Sequence, residues 1–197
     1  MLICITGGLG SGKTLGMTAW ACKFSCMGGM LPIISNYKIE VDGHIDTILL
    51  QDEEDMIRMI KLVKREKGIL LIDEAYKFLD SRLSMNKRNV YLSQFFMFLR
   101  KLNLITIVTI QSFRMIDIRV REIIDVLIVC RKINKGFEQR IFDYQLGKQV
   151  KRLCLREEVM KEVYEMYDTF EMVKEFKFPE REEEFNKFMD RLQRERG

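Results

Sequence analysis

The chain has 197 residues, is 47% hydrophobic and 31% charged, and carries a formal net charge of +4. That length suits one sizeable core with a small appendage, and that composition excludes a disordered or fibrous chain. No stretch reaches the roughly 20 apolar residues of a membrane helix, and residues 1–6 lack the basic start of a signal peptide, so neither feature is expected.

In chain order, residues 1–6 (MLICIT) read as a short buried strand. A glycine-rich loop over 7–12 follows. Lys13 opens a helix running to about residue 27, where Gly28 and Gly29 end it. Residues 31–35 read as a second strand. Asp52 is a helix N-cap, with Glu53, Glu54 and Asp55 in the positive first turn; Met56, Ile57, Ile60 and Val63 share one face, and Gly68 ends that helix. Residues 69–72 are four consecutive aliphatics, the pattern of a strand buried on both faces. Residues 89–103 read as a helix carrying Phe95, Phe96, Phe98 and Leu99, and 104–110 and 126–130 as further buried strands. Strands alternating with helices imply βαβ units around a mainly parallel sheet. From 137 to 156, two short runs around Gly147 and Lys148 read as a β-hairpin. From Glu157, the residues Val159, Val163, Met166, Phe170 and Val173 form a narrow apolar seam on a helix. Pro179 breaks it, and 181–196 reads as a last charged helix. The expected organisation is a core over 1–135, a hairpin extension over 136–156 and a helical tail over 157–197.

Cys4, Cys22, Cys26, Cys130 and Cys154 include no CxxC, and His44 is the single histidine. A zinc site of the usual spacing is not expected on that basis, whereas buried reduced thiols are, with His44 in a surface loop beside Gly43.

The segment Gly7-Gly8-Leu9-Gly10-Ser11-Gly12-Lys13-Thr14 satisfies GxxxxGK[ST] in full, between a strand and a helix. Glycines let the backbone curl so that successive N–H groups point inward at phosphate oxygens, and the helix N-terminus adds its partial positive charge. Lys13 is expected on the β- and γ-phosphates of a nucleotide, and the Thr14 hydroxyl on Mg²⁺. The strand at 69–72 ends in Asp73 and Glu74. Asp73 is the second expected Mg²⁺ site, acting through water, and Glu74 is the expected general base that orients the attacking water. Gln111, at the tip of the strand over 104–110, is the expected γ-phosphate or water sensor. Arg119 and Arg121 follow within ten residues and are candidates for an arginine finger supplied to a neighbouring subunit, with Arg100 and Arg88 in reserve.

Charge is unevenly distributed. Residues 1–80 carry 9 basic and 11 acidic side chains, 81–121 carry 8 and 1, 122–156 carry 8 and 4, and 157–197 carry 8 and 13. A basic middle suits a polyanionic partner or a solvated basic face; taken with the nucleotide motifs, double-stranded DNA is the partner expected against residues 81–156.

The phosphate loop GGLGSGKT, the strand ILLIDEA, the strand IVTIQSF and the segment DIRVR together resemble the zonular occludens toxin-type ATPases of filamentous phages and related viruses, within the FtsK–HerA branch of RecA-like ATPases. The resemblance spans about residues 1–135. It implies a three-layer α/β RecA-like core, a ring of subunits and ATP-driven translocation of nucleic acid or a virion component. Lys13, Thr14, Asp73, Glu74 and Gln111 carry over one by one. Phage-assembly members have a membrane segment after the core, whereas a charged helical tail stands here, which turns the expectation toward a packaging motor in the host cytoplasm or the virion. The competing expectation is an assembly or secretion ATPase acting on protein through a capsid or membrane partner. A small-molecule kinase is disfavoured because Glu74 and Gln111 suit attack by water, and a non-hydrolysing switch is disfavoured by an intact Glu74.

Overall fold

The computed structural model describes residues 1–41, 47–63, 67–75, 87–168, 178–179 and 181–196, with main chain only at 87–89, 115 and 196. His44 lies outside the described residues.

Eight strands form one sheet: β1 (Leu2–Thr6), β2 (Ile33–Ser35), β3 (Thr47–Leu49), β4 (Gly68–Ile72), β5 (Leu104–Ile110), β6 (Val126–Ile133), β7 (Gly136–Asp143) and β8 (Lys148–Leu155). Their order is β3-β2-β4-β5-β1-β6-β7-β8. The first six are parallel and the last two antiparallel. Parallel strands need covering on both faces, and two apolar layers do this. The helix α1 (Lys13–Met27) lies on one face, where Met17 and Ala21 meet Ile3, Ile5, Ile69, Leu71, Ile107 and Ile128. On the other face lie α2 (Glu53–Val63), α3 (Lys87–Lys101) and α6 (Glu182–Arg196), packed on Leu2, Cys4, Leu70, Ile72, Leu104 and Val108. Odd and even strand residues divide between the layers, as the period of two requires. This is the expected three-layer α/β architecture.

Local signals explain most boundaries. Asp52 caps α2 by accepting from the Asp55 N–H at 3.1 Å, and Asp55 accepts from the Gln51 N–H at 3.0 Å, a reciprocal cap. Gly28 ends α1 with its N–H on the Phe24 carbonyl at 2.9 Å. Several boundaries differ from the sequence reading: Gly68, expected to end the second helix, is instead the first residue of β4, and the helix expected over 89–103 runs from Lys87 to Lys101. β3 has only three residues, too few to print a period. β6 runs on through Arg131 and Lys132, which look like loop residues but pair with Glu138 and Phe137 of β7. The seam helix stops early: α5 (Glu157–Tyr164) ends before Met166, whose carbonyl instead accepts from the Glu40 N–H at 2.7 Å, while Tyr167 turns edge-on to Tyr37 with ring centroids 5.9 Å apart. Phe170 and Val173 lie outside the described residues.

The C-terminal segment is packed on both faces. α5 lies along α1, where Val163 meets Leu15 and Phe137. Across the sheet, Phe185, Phe188 and Leu192 of α6 are buried, Phe185 stacks on Tyr91 at 4.6 Å, and Arg191 pairs with Glu53 at 3.2 Å and Glu54 at 2.5 Å. Each buried aromatic of this kind contributes about 1.5–3 kcal/mol. Among the described residues no helix is long and apolar enough to cross a membrane. All five cysteines are free thiols; Cys4 and Cys130 are buried, Cys22 is half-buried, but Cys26 and Cys154 are exposed, a correction to the expectation. Cys26 lies in the last turn of α1 and Cys154 on β8, the outermost strand among the described residues.

Candidate nucleotide-binding site

Because β2, β4, β5 and β1 are adjacent and parallel, their C-terminal ends stand in a row. That edge is where an open α/β sheet presents ligands to its loops. It carries Asn36 and Tyr37 after β2, Asp73 and Glu74 after β4, Gln111 after β5 and the glycine loop after β1.

The glycine loop is shaped by backbone conformations that side chains resist. Gly10 and Gly12 have φ of 65° and 80°. A Cβ on Gly12 would lie 2.7 Å from the Phe137 ring, so this position has neither the conformation nor the space for one. Gly12 is also the N-cap of α1, with no side chain closing the helix end and no acid in the first turn. The first amides of α1 are therefore free to meet an anion. The Ser11 hydroxyl is buried without a partner, a second polar group that an incoming phosphate oxygen would satisfy. Leu9, at the crest of the loop, is 92% exposed.

Lys13 donates from Nζ to the Gly8 carbonyl at 2.9 Å, folding its ammonium across the loop. Partial burial holds its pKa below the usual lysine range, and the Asp73 and Glu74 carboxylates oppose that shift. Thr14 donates from Oγ1 to Asp73 Oδ2 at 2.9 Å. The two residues expected at the metal thus meet directly, although 59 positions separate them. The other Asp73 oxygen, Oδ1, accepts from the Thr109 hydroxyl. The Asp73 peptide is held as well: Asn36 Nδ2 donates to its carbonyl at 3.0 Å, and its N–H donates to Asn36 Oδ1 at 2.8 Å. Glu74 adopts φ of 52°, and its N–H donates to Thr109 Oγ1 at 3.0 Å.

These groups face a cleft of about 380 Å³ lined by the glycine loop, Lys13, Thr14, Asp73, Glu74 and Gln111. The sequence reading brought all of these together. It missed Asn36 and Thr109 beneath the cleft and Tyr37, Tyr164, Tyr167 and Asp168 on its rim. Tyr37 shares a 2.9 Å hydrogen bond with Thr18, whose Oγ1 reaches the Thr14 carbonyl at 2.9 Å. Burial pushes the Tyr37 phenol well above its ordinary pKa, so it stays neutral. The arginines stand apart from the cleft. Arg121 folds back on its own turn, donating from Nε to the Ile116 carbonyl and from Nη2 to the Arg114 carbonyl, both at 2.8 Å, with its guanidinium 5.6 Å from the Phe113 ring centroid. Arg119 is exposed on α4 (Ile118–Arg121), which Asp117 caps. Arg100 pairs with Asp125 at 3.4 Å at the opposite edge of the sheet, where Asp125 also accepts from the Leu2 N–H. The Arg88 side chain lies outside the described residues.

Among the described residues, the cations of the basic middle are divided between engaged and exposed ones. Arg100 and Arg121 are engaged as above, whereas Arg131, Lys132, Lys135, Lys148, Lys151 and Arg156 are exposed along and around β6–β8. Arg140 and Arg152, also exposed, pair with the buried Glu138.

Comparison with known proteins agrees with the fold. The family model "Zonular occludens toxin (Zot)" matches residues 31–187, four-fifths of the chain. The N-terminal domain of zonular occludens toxin from Neisseria meningitidis superposes with a TM-score of 0.54 at 17% identity, covering 85% of this chain and 98% of that one. The genome packaging NTPase B204 of Sulfolobus turreted icosahedral virus 2, solved with ATP-gammaS, gives 0.58 at 14% identity over 78% of this chain and 97% of that one. EssC (ATPases 2 and 3) from Geobacillus thermodenitrificans gives 0.51 at 13% identity over 87% of this chain and 45% of that one. At these identities the structures speak to the fold. No curated protein sequence is significantly similar to the chain. With most of its length matched by that family model and a RecA-like P-loop ATPase fold, the chain belongs to the zonular occludens toxin (Zot) family.

Proposed function

We propose that this chain hydrolyses ATP with Mg²⁺ and uses the reaction to translocate DNA, as a genome-packaging motor of a virus or mobile element. The observation that carries hydrolysis is the meeting of Thr14 with Asp73 at 2.9 Å in the cleft that Lys13 and Glu74 also line. The free amides of α1 and the unpartnered Ser11 hydroxyl fit a polyphosphate, and Thr14 with Asp73 supplies the small oxygen set that Mg²⁺ takes when it also binds phosphate and water. Once bound, Mg²⁺ neutralises charge on the phosphates.

In this reading Lys13 leaves the Gly8 carbonyl for the β- and γ-phosphates. Glu74 orients a water and takes its proton as the water oxygen attacks the γ-phosphorus. The bond to the β–γ bridging oxygen breaks, and ADP leaves with the electron pair. Gln111 stands at the open side of the cleft as the γ-phosphate sensor. Arg119 reaches a neighbouring subunit's cleft in a ring, braced by the turn that Arg121 locks. The core over 1–135 supplies this chemistry, its last strand and the hairpin over 136–156 the DNA-facing cations, and the tail over 157–197 closes both helical layers.

Two things support DNA as the translocated substrate: the exposed cations of β6–β8, and the likeness to a packaging NTPase. The test is steady-state ATP hydrolysis with and without double-stranded DNA over a range of salt. Stimulation that salt abolishes is expected. Hydrolysis indifferent to DNA would replace this reading with assembly or secretion of protein at a membrane.

A further inference from the structure

One hydroxyl beneath the cleft serves both acids. Thr109 sits one residue before the end of β5, is 1% exposed, and stands beside Asp73 because Val108 pairs with Ile72 across β4 and β5. Its Oγ1 donates to Asp73 Oδ1 and accepts the Glu74 N–H at 3.0 Å. Its backbone carbonyl accepts the Ala75 N–H at 2.9 Å. The turn at 73–75, with Glu74 at φ 52°, is therefore pinned to β5 at three consecutive residues. A non-glycine residue in that conformation persists only where its surroundings hold it.

The division of labour with Asn36 is clear. Asn36 grips the Asp73 peptide but touches neither carboxylate oxygen. Thr14 takes one of those oxygens and Thr109 the other. With Oδ1 occupied by Thr109, Oδ2 is the oxygen turned toward Thr14 and the phosphate loop. The hydroxyl can do this only with its proton on Asp73 and a lone pair on the Glu74 amide, so its two bonds are mutually consistent and leave no ambiguity of orientation.

We infer that Thr109 is a positioning residue for the reaction: its hydroxyl aims Asp73 Oδ2 at the metal position and fixes the backbone from which the Glu74 carboxylate reaches the attacking water. The inference rests on the ATPase reading above. Gln111 lies two residues beyond Thr109, just past the end of β5, so a γ-phosphate contact at Gln111 and the setting of the two acids are joined through the same strand end.

The test compares Thr109→Val, which keeps the shape and removes the hydroxyl, with Thr109→Ser, which keeps the hydroxyl and removes the methyl. Two readouts are taken: ATP turnover, and the Mg²⁺ concentration at which binding of a fluorescent ATP analogue is strengthened. Outer-shell partners of metal ligands are worth about 10–100-fold in metal affinity or activity. For Thr109→Val we expect kcat to fall and the Mg²⁺ requirement to rise within that range. Affinity for the analogue in EDTA should stay at the wild-type value, which also reports an intact fold, and Thr109→Ser should recover most of both losses. Wild-type turnover and Mg²⁺ dependence in Thr109→Val would overturn the inference, as would a Thr109→Ser variant as impaired as Thr109→Val. If wild type itself shows no hydrolysis, the ATPase reading falls alone, and the Mg²⁺-dependent binding still decides the role of Thr109.

Discussion

The centre of the sheet and its β7–β8 flank handle polar groups in opposite ways. At the centre, Asp73 is 5% exposed and Asn36 and Thr109 are 1% exposed, and each polar atom described has a named neutral partner. At the flank, Glu138 is equally buried but is met by two exposed arginines, and β8 is open to solvent along most of its length. Buried networks of neutral donors fix geometry, because an unpaired member is costly. Exposed cations on an outer strand keep their hydration and stay available to a partner. The contrast separates a part of the molecule shaped for one geometry from a part shaped for charge.

The largest effect expected from breaking the centre is on turnover. Glu74→Gln removes the base while keeping the shape, and phosphate release should fall by about 10²–10⁴-fold with nucleotide binding retained, measured by steady-state assay and by binding of a fluorescent analogue. Next comes Asn36→Ala, which strips both partners from the buried Asp73 peptide. A loss of about 1–3 kcal/mol is expected, read as a fall in Tm of roughly 2–4 °C per kcal/mol for a chain of this size. Full retention of Tm would mean that water replaces the amide and that the network is looser than drawn.

At the flank the expected effects are smaller and of another kind. Replacing Lys148 and Lys151 with alanine should leave Tm nearly unchanged and lower the slope of log affinity for DNA against log salt by about two. An unchanged slope would place the DNA contact elsewhere. Smallest is the Glu138 pair. The hydrogen bond from Arg140 is the main force holding the Glu138 carboxyl below its ordinary pKa of 4.5, with Arg152 adding to it. A depressed carboxylate contributes stability that is fully present above 4.5 and is lost as pH falls through the folded pKa. Glu138→Gln should therefore flatten the acid side of the stability curve, with a modest loss at neutral pH that disappears as pH falls through the folded pKa, as followed by thermal melts from pH 7 down to about 3.

Much of this was legible in the sequence, for a local reason. The phosphate loop is eight consecutive residues whose glycines answer to local backbone demands, and the acids follow an aliphatic run that can only be a buried strand. Lys13, Thr14, Asp73, Glu74 and Gln111 could be placed without knowing the sheet order. Asn36 and Thr109 could not, because they reach Asp73 from 37 and 36 residues away through the adjacency of β2, β4 and β5. A signal did exist: Thr106 and Thr109 interrupt an otherwise aliphatic strand, and Asn36 stands just past a strand tip, as Gln111 does. The rim residues Tyr164, Tyr167 and Asp168 were hidden by the apolar seam, which reads as one longer helix. The structure ends α5 at Tyr164, because Met166 and Tyr167 are engaged by Glu40 and Tyr37.

The most direct test of a hydrolytic centre at this cleft is phosphate release from ATP by wild type and by Glu74→Gln, each with Mg²⁺ and with EDTA. Release by wild type only with Mg²⁺, and at about one hundredth of that rate or less from Glu74→Gln, is the predicted result. Equal release from the two proteins, or release by wild type that is indifferent to EDTA, would contradict the assignment of Thr14, Asp73 and Glu74 to the chemistry.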